Sequence, residues 1–275
     1  MGCGSRKDTG LNGIIALLCA KSKYKLAPSN ITIGNPFIEL QQVDSTNNYA
    51  TALAHAGMAQ PGTAVLAHHQ TKGKGQRFKA WETAAGQNIT LSIILQPQGL
   101  VLSEAFWLSM AVAVGVQRFF SRYVLEEVTI KWPNDLYWRD RKTGGILIEN
   151  ILTGATWKYA IVGIGININQ TDFGELGLRA TSLKQITGKT HDIVALAKEL
   201  CLSVETAINQ LQTNKQSIQE EYHSVLYKRF QKVRLRKDAR VFETTVQGVS
   251  TEGELITGQA IEERFAVGEV EWVFE

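Results

Sequence analysis

Three cysteines in 275 residues, Cys3, Cys19 and Cys201, are odd in number and lack the spacing of a metal site. So few cysteines, odd in number, fit a reducing compartment, and the chain is expected in the cytoplasm. Charge of one sign is also missing. Twenty-nine basic and 26 acidic residues leave a net charge of +3 and a pI near 8.7. That mild excess demands no nucleic acid, and an anionic partner has to be argued from local patches. Long hydrophobic runs are missing too. The stretch from Ile14 to Ala20 is far shorter than a membrane span. Ala16-Leu17-Leu18-Cys19 lacks the small residue expected before a lipid-bearing cysteine, and Met1-Gly2 is followed by Arg6 where myristoylation wants Ser or Thr. His68-His69 is the one histidine pair, and neighbours on a strand face opposite ways, which argues against a shared metal. No repeat or low-complexity tract interrupts the chain. With 44% hydrophobic residues it can bury a substantial core, as one large domain or a large and a small one.

The most informative segment that is present is Lys131-Trp132-Pro133-Asn134-Asp135, followed by Thr143-Gly144-Gly145-Ile146-Leu147-Ile148-Glu149. Val128-Thr129-Ile130 reads as a strand because it is rich in β-branched residues. Pro133 and Asn134 end it in a turn. Lys131 then sits at a strand end, where a sheet can aim one ammonium at a phosphate or carboxylate. Asp135 can orient that lysine, hold magnesium or cap the turn. Gly145 is expected to begin a second strand and to let a ligand approach the backbone. Taken alone, an ordinary Asn-Asp hairpin would read the same.

A second segment runs from Gln70 to Trp81 after the strand-like Thr63–Ala67. Gly73 and Gly75 free the backbone among Lys72, Lys74, Arg77 and Lys79, so the loop can wrap an anion. It is not a G-x-x-x-x-G-K-[ST] phosphate loop, and Phe78 stands where a dinucleotide fingerprint needs glycine. A solvated basic loop is the plainer reading, but Trp81 just beyond it can stack on a ring. A third segment, Ile161 to Asn169, alternates apolar residues with Gly163, Gly165, Asn167 and Asn169. On a strand those four share one face, bare backbone followed by amides, which suits a flat polar ring. A tightly packed glycine-rich strand would show the same pattern.

Other elements follow from periodicity. Ser45 is expected to cap a helix from Thr46 to His55 that ends at Gly57. Ile89–Leu95 reads as a strand and Ser103–Tyr123 as a helix buried on one face. Val128–Glu149 reads as a hairpin and Trp157–Ile168 as a strand. Leu196, Leu200, Val204, Ile208 and Leu211 mark a helix from Ile193 to Tyr222. The basic run Lys228–Lys237 marks a boundary, as a charged strand edge or linker. Three short strands after it, Ala239–Thr245, Leu255–Ile261 and Val270–Phe274, suggest a small β-barrel. The expected class is α+β, with a mixed or mostly antiparallel sheet flanked by helices. The expected division is an extension over 1–34, a main domain over 35–225 and a small domain over 226–275.

Together these segments resemble the biotin protein ligase family. The resemblance is carried by Ser45-Thr46-Asn47, by Gln70 to Trp81, by Gly86-Gln87-Asn88-Ile89, by the Lys131 and Gly145 segments, and by Gly163 to Asn167. It covers about residues 37–170, more loosely beyond. The family loop reads Gly-Arg-Gly-Arg-x-Gly-Arg. Here Lys74, Gln76, Phe78 and Lys79 depart from it, which keeps much of the charge but loses guanidinium geometry and one glycine.

The resemblance implies an SH3-like C-terminal domain and a two-step reaction with ATP, biotin and magnesium. Biotin becomes biotinyl-5′-AMP and passes to a lysine of a biotin carboxyl carrier domain. Lys131 is the implied catalytic residue. Biotin is implied to meet Ser45, Thr46, Asn47, Gln70, Gly73, Lys74, Gly75, Gln76, Lys131, Gly145, Gly163 and Gly165. ATP or the adenylate is implied to meet Lys74, Arg77, Trp81, Asn88, Asn134 and Asn167. The metal ligands are not fixed. The rivals are a lipoate or octanoate ligase or transferase of the same superfamily, a biotin-sensing repressor and a non-catalytic biotin-binding module. Residues 1–34 are too short for the winged helix-turn-helix of a repressor, so no specific nucleic acid is expected. No membrane partner is expected either, and monomer and homodimer both stay open.

Overall fold

Strand alternation and helix periodicity place most of the elements. The structure is a computed structural model that describes Met1 and residues 32–274, apart from 126, 178, 259 and 260. The expected extension, with Cys3, Cys19 and the Ile14–Ala20 run, thus lies outside the described residues up to residue 31. The strands β1 (Phe37–Val43), β2 (Ala64–Gln70), β3 (Asn88–Leu95), β4 (Val128–Lys131), β5 (Asp135–Trp138), β6 (Arg141–Thr153) and β7 (Thr156–Asn167) form one sheet. Its order is β1-β2-β3-β7-β6-β5-β4. Only β1 and β2 run parallel; the other neighbours are antiparallel. The fold is therefore the expected α+β with a mixed sheet.

Period-two alternation splits this sheet into two faces. Ile89, Leu91, Ile93 and Leu95 of β3, with Val162, Ile164 and Ile166 of β7, join the main core. That core also takes α2 (Ala105–Ser121), α4 (Ile193–Thr213) and α5 (Lys215–Ser224). At Gly115 of α2, a Cβ would come within 2.8 Å of Val204 Cα, so glycine lets α2 and α4 lie close. Cys201 is buried in this core, where burial pushes its thiol up to about 12. The other face is the one that carries chemistry. There Ala50 of α1 (Thr46–His55) packs on Ile94 and Ile161. Helix α1 ends as expected: Gly57 adopts φ +72°, and the Gly57 and Met58 N–H groups donate back to Ala54 and Leu53 carbonyls.

Three expectations are corrected and one strand is added. Ser45 stands at the N-cap of α1 but makes no side-chain cap bond, so its hydroxyl is not committed to the helix. The Val128–Glu149 hairpin is a three-stranded meander, and Gly145 lies inside β6, opposite Asp135 and Gly165. The single helix over 193–222 breaks at Asn214, whose side chain accepts from Ser217 N at 3.1 Å and starts α5. Strand β1 had not been expected.

The C-terminal region is a second sheet built from β8 (Lys232–Lys237), β9 (Arg240–Val249), β10 (Leu255–Thr257), β11 (Glu263–Phe265) and β12 (Glu271–Val273). It is antiparallel, in the order β11-β10-β9-β8-β12. The basic run contributes β8, where Leu235 is buried and Lys232, Arg234 and Arg236 are exposed. A short helix α3 (Leu183–Thr187) follows the first sheet. Among the described residues, no helix is long and apolar enough to cross a membrane.

Candidate active site

The chemical face of the first sheet carries Thr90 and Ser92 from β3, Gly163 and Gly165 from β7, and Gly145 and Glu149 from β6. Above it sits the N-terminus of α1, and a chain of hydrogen bonds joins the two. Thr46 donates its N–H (2.8 Å) and its hydroxyl (3.0 Å) to Gln70 Oε1. Ser92 Oγ is within donating distance of both Thr46 Oγ1 (2.7 Å) and Asn47 Oδ1 (2.6 Å). Asn47 donates to Glu149 Oε2 at 2.7 Å, and Glu149 Oε1 meets Lys74 Nζ at 3.2 Å. Thr46, Asn47 and Ser92 are buried, so the inner bonds of this network are shielded from water, while the Glu149 and Lys74 side chains at its outer end are exposed. The glycines are required by it: a Cβ at Gly163 would overlap Asn47 Oδ1, and one at Gly165 would overlap the Trp81 indole.

Lys131 closes the edge of the sheet. It ends β4 opposite Asp135, is buried, and has its pKa pushed down to about 8, chiefly by burial. Asp135 answers to another cation, Lys142, at 2.7 Å. Lys142 in turn lies over the Trp81 ring, 5.6 Å from its centroid. The rest of the motif is scaffold. Trp132 donates its indole N–H to Gly253 O at 2.9 Å, tying the motif to the second sheet. Asn134 spends its amide donor on Ile146 O (2.6 Å) and accepts from Ile146 N on its own carbonyl (3.0 Å).

The basic loop is folded back on itself. Lys74 pairs with Ala80, Gly75 N donates to Lys79 O at 2.7 Å, and Trp81 N donates to Gly73 O at 3.0 Å. Between them lies a 3-10 turn, Gln76–Phe78, in which Arg77 takes φ 54°. The Arg77 guanidinium lies against Gly268 and is 3.9 Å from Glu271. The second sheet thereby roofs the cavity.

The cavity holds about 640 Å³, a size suited to a small-molecule ligand. Lys74, Arg77, Lys79, Lys131, Lys142 and Arg179 line it against Glu82, Asp135 and Glu271, six cations to three carboxylates, so its field favours an anion. The expected residues Ser45, Thr46, Asn47, Gln70, Gly75, Gln76, Trp81, Asn134, Gly145, Gly163, Gly165 and Asn167 also line it. Two expected residues do not reach it. Gly73 instead serves the loop, where a Cβ would overlap Trp81 O. Asn88 is buried at the end of β3, with its amide on Gln170 Oε1 (2.6 Å) and its carbonyl taken by Ile168 N (2.9 Å). Asn169 likewise leaves the ring face to brace His191. Ser92, Lys142, Arg179 and the segment Val267–Phe274 were missed. Glu149 stood in a recognised motif, but its bonds to Asn47 and Lys74 need the fold to be seen. A smaller cavity of about 120 Å³ near Leu100 and Leu211 holds none of the motif residues. Among the described residues, no group of three or more His, Cys, Asp or Glu side chains is placed to hold a metal.

A hydrogen-bonded pocket beside a concentrated patch of positive charge defines a site for a small anionic ligand. Residues 39–167 match the model of the Biotin/lipoate A/B protein ligase family. The bifunctional ligase/repressor BirA of Bacillus spizizenii is 32% identical over 198 residues, covering 71% of this chain and 60% of that protein. The biotin–[acetyl-CoA-carboxylase] ligase of Paracoccus denitrificans is 35% identical over 159 residues, covering 56% of this chain and 64% of that one. Among solved structures, biotin protein ligase from Aquifex aeolicus in complex with biotin and ATP superposes with a TM-score of 0.73 at 25% identity, covering 87% of this chain and 99% of that one. The chain thus spans about 60% of the length of the BirA relative and nearly all of the Aquifex fold.

Proposed function

We propose that this protein is an ATP-dependent, AMP-forming biotin–[acetyl-CoA-carboxylase] ligase. It activates biotin to biotinyl-5′-AMP and transfers biotin to a lysine of a biotin carboxyl carrier domain. The observation that carries this reading is the position of Lys131, at the wall where the hydrogen-bonded pocket meets the cationic loop. In the first step a biotin carboxylate oxygen attacks the α-phosphorus of ATP, and pyrophosphate leaves. Two anions must approach, and fixed cations at the meeting point lower that barrier. Lys131 supplies one such charge and Lys74 a second. In the second step the acceptor lysine amine attacks the acyl carbon, and AMP leaves with its charge met by Lys131.

Gly163 and Gly165 let Asn47 and Trp81 lie directly on the sheet and so shape the ring pocket, and Ser45, Thr46 and Gln70 supply polar partners for the ureido group of biotin. Trp81 and Asn167 are assigned to the adenine. Magnesium is assigned to the substrate: it travels on the ATP phosphates, since Asp135 is already held by Lys142. We read 35–225 as the catalytic domain and 226–275 as an SH3-like domain. The few cysteines, odd in number, with Cys201 free, support a cytoplasmic site of action.

The test is incubation of the purified protein with ATP, biotin and a carrier domain, reading pyrophosphate release and the modified lysine by mass spectrometry. Biotin-dependent pyrophosphate and a biotinylated lysine are expected. Transfer of lipoate or octanoate with none of biotin would overturn the reading. That alternative is not favoured, because the Paracoccus relative and the Aquifex structure are named as biotin ligases.

A further inference from the structure

Lys131 has an unusual set of neighbours. Its ammonium nitrogen is 5.2 Å from the ring centroid of Tyr137, 5.4 Å from that of Trp272 and 5.0 Å from that of Phe274. All three lie within the ~6 Å at which the face of an aromatic ring attracts a cation. Tyr137 comes from β5, beside Lys131 in the sheet. Trp272 belongs to β12, and Phe274 lies just past its end, so two of the three walls come from the second sheet. The rings hold one another in place. Tyr137 and Phe274 stack at 6.5 Å with an interplanar angle of 13°. Tyr227 touches both Tyr137 (5.1 Å) and Trp272 (5.6 Å), and its hydroxyl donates to Asp140 at 2.6 Å.

We propose that Trp272 and Phe274, with Tyr137, are positioning residues for the adenylation step, forming an aromatic box that holds the Lys131 ammonium at the cavity wall until a phosphate takes it. The proposal rests on the reading of Lys131 as the charge that meets the phosphate. A box of ring faces suits that task better than a carboxylate would. A buried ion pair has to be broken before lysine can serve a new anion, whereas ring faces fix the cation and release it at small cost. Asp135, the carboxylate opposite Lys131 in the sheet, is occupied by Lys142 and does not compete. The second sheet is also anchored near the site from two directions, by Trp132 on Gly253 and by Arg77 on Gly268.

The box predicts a pH signature. The groups that face Lys131 are Asp135 on β5, which favours its charge, and Lys142 on β6 and Lys79 in the loop, which oppose it. Tyr137 is held neutral by burial, and Glu271 is the titratable residue of β12. Burial outweighs the rest and places Lys131 at about 8. A lysine with a lowered pKa loses its charge as pH rises through that value, so kcat/KM for ATP should fall there.

The experiment compares full-length Phe274→Leu, Phe274→Ala and Phe274→Tyr with the parent. Phe274 is the safer site because it lies beyond the last paired residue of β12. Leucine keeps the apolar bulk but removes the ring face, so the ammonium stays desolvated without its attraction. The alkaline limb of biotin-dependent pyrophosphate release should then move down by about half a pH unit. Alanine admits water, so the limb should move up by about one unit, while the less well placed lysine turns over about tenfold more slowly. Tyrosine should restore both. The same proteins are labelled with acetic anhydride across pH, and acetylation at Lys131 is read by mass spectrometry, which titrates the amine without requiring activity. Opposite shifts for Leu and Ala support the box; a Lys131 titration that none of the variants moves overturns it. If the parent releases no pyrophosphate with biotin, the ligase reading fails while the labelling series still decides on the box.

Discussion

The floor and the roof of the cavity are made in different ways. The floor is one face of a sheet, with every position fixed by strand register: Gly165 opposite Thr90 and Gly145, Gly163 opposite Ser92 and Leu147. Its inner polar groups, on Thr46, Asn47 and Ser92, are buried and paired with one another. The roof is a folded loop leaning on the second sheet through exposed contacts, of which Arg77–Glu271 is one, 3.9 Å apart and open to solvent. Registered strands make a preorganised surface that recognises shape, while the loop places charge that solvent screens. The floor should therefore govern whether the ring binds, and the roof how long the product stays.

Lys131 stands at the seam between the two, and its loss should have the largest effect. Lys131→Ala is expected to cut biotin-dependent pyrophosphate release by at least about 10²–10³-fold, the usual cost of removing one preorganised charge donor. The fold should survive, because the side chain packs on rings rather than supporting a buried carboxylate; circular dichroism on the same sample checks this. Release near the parent rate would take Lys131 out of the mechanism and leave the seam without a function.

A change to the floor comes next. In Gly163→Val, the new Cβ would overlap Asn47 Oδ1, so Asn47 must move and the links to Ser92 and Glu149 go with it. Overpacking of this kind costs about 1–3 kcal/mol. If that cost falls on the pocket, biotin affinity drops by about ten- to a hundredfold. Titration calorimetry with biotin alone reads it, and KM for ATP should hardly change. A variant that binds biotin normally but loses ATP would assign the glycine face to the nucleotide and reverse the comparison.

The same contrast explains what could be read from the sequence. The span of helix α1 and its Gly57 stop were legible, because both signals are local, although Ser45 does not make the cap bond that its position suggested. The glycine face of β7 was legible through residue 167, because alternation is local too. Asn169 was misplaced, since the strand ends before it and its amide turns to His191. Asn88 sat in a matching motif, but whether an amide faces a ligand or a neighbour depends on Gln170, in a loop far along the chain. Strand β1 was missed because its Glu39-Leu40-Gln41-Gln42 stretch is too polar to signal a strand until β2 pairs with it. The aromatic walls around Lys131 left no local signature at all. Trp272 and Phe274 read as two ordinary residues of a short strand until the second sheet is seen to fold back over the first.

The smallest effect expected lies in the roof. The loop is tied by the Gly75–Lys79 and Trp81–Gly73 backbone bonds, but it crowds Lys72, Lys74, Arg77 and Lys79 together, answered by the exposed carboxylates of Glu149 and Glu271 beside Lys74 and Arg77. Ordering each loop residue costs ~1–2 kcal/mol, which bound phosphate offsets. The loop should therefore gain protection from protease when biotin and ATP are added, and no gain would reject the ordering. Gln76 lines the cavity where the family resemblance places arginine, so closure here relies less on charge. Gln76→Arg should slow release of labelled biotinyl-5′-AMP by about twofold to fivefold, in keeping with the ~0.2–1 kcal/mol of an exposed charge interaction. Arg77→Ala, which frees the loop from Gly268 and Glu271, should speed release by a similar factor. Both differences should shrink in high salt, because the groups are solvent-exposed. A Gln76→Arg protein that binds biotin more tightly but releases adenylate unchanged would move this position from the roof to the floor, and with it the line drawn between recognition and retention.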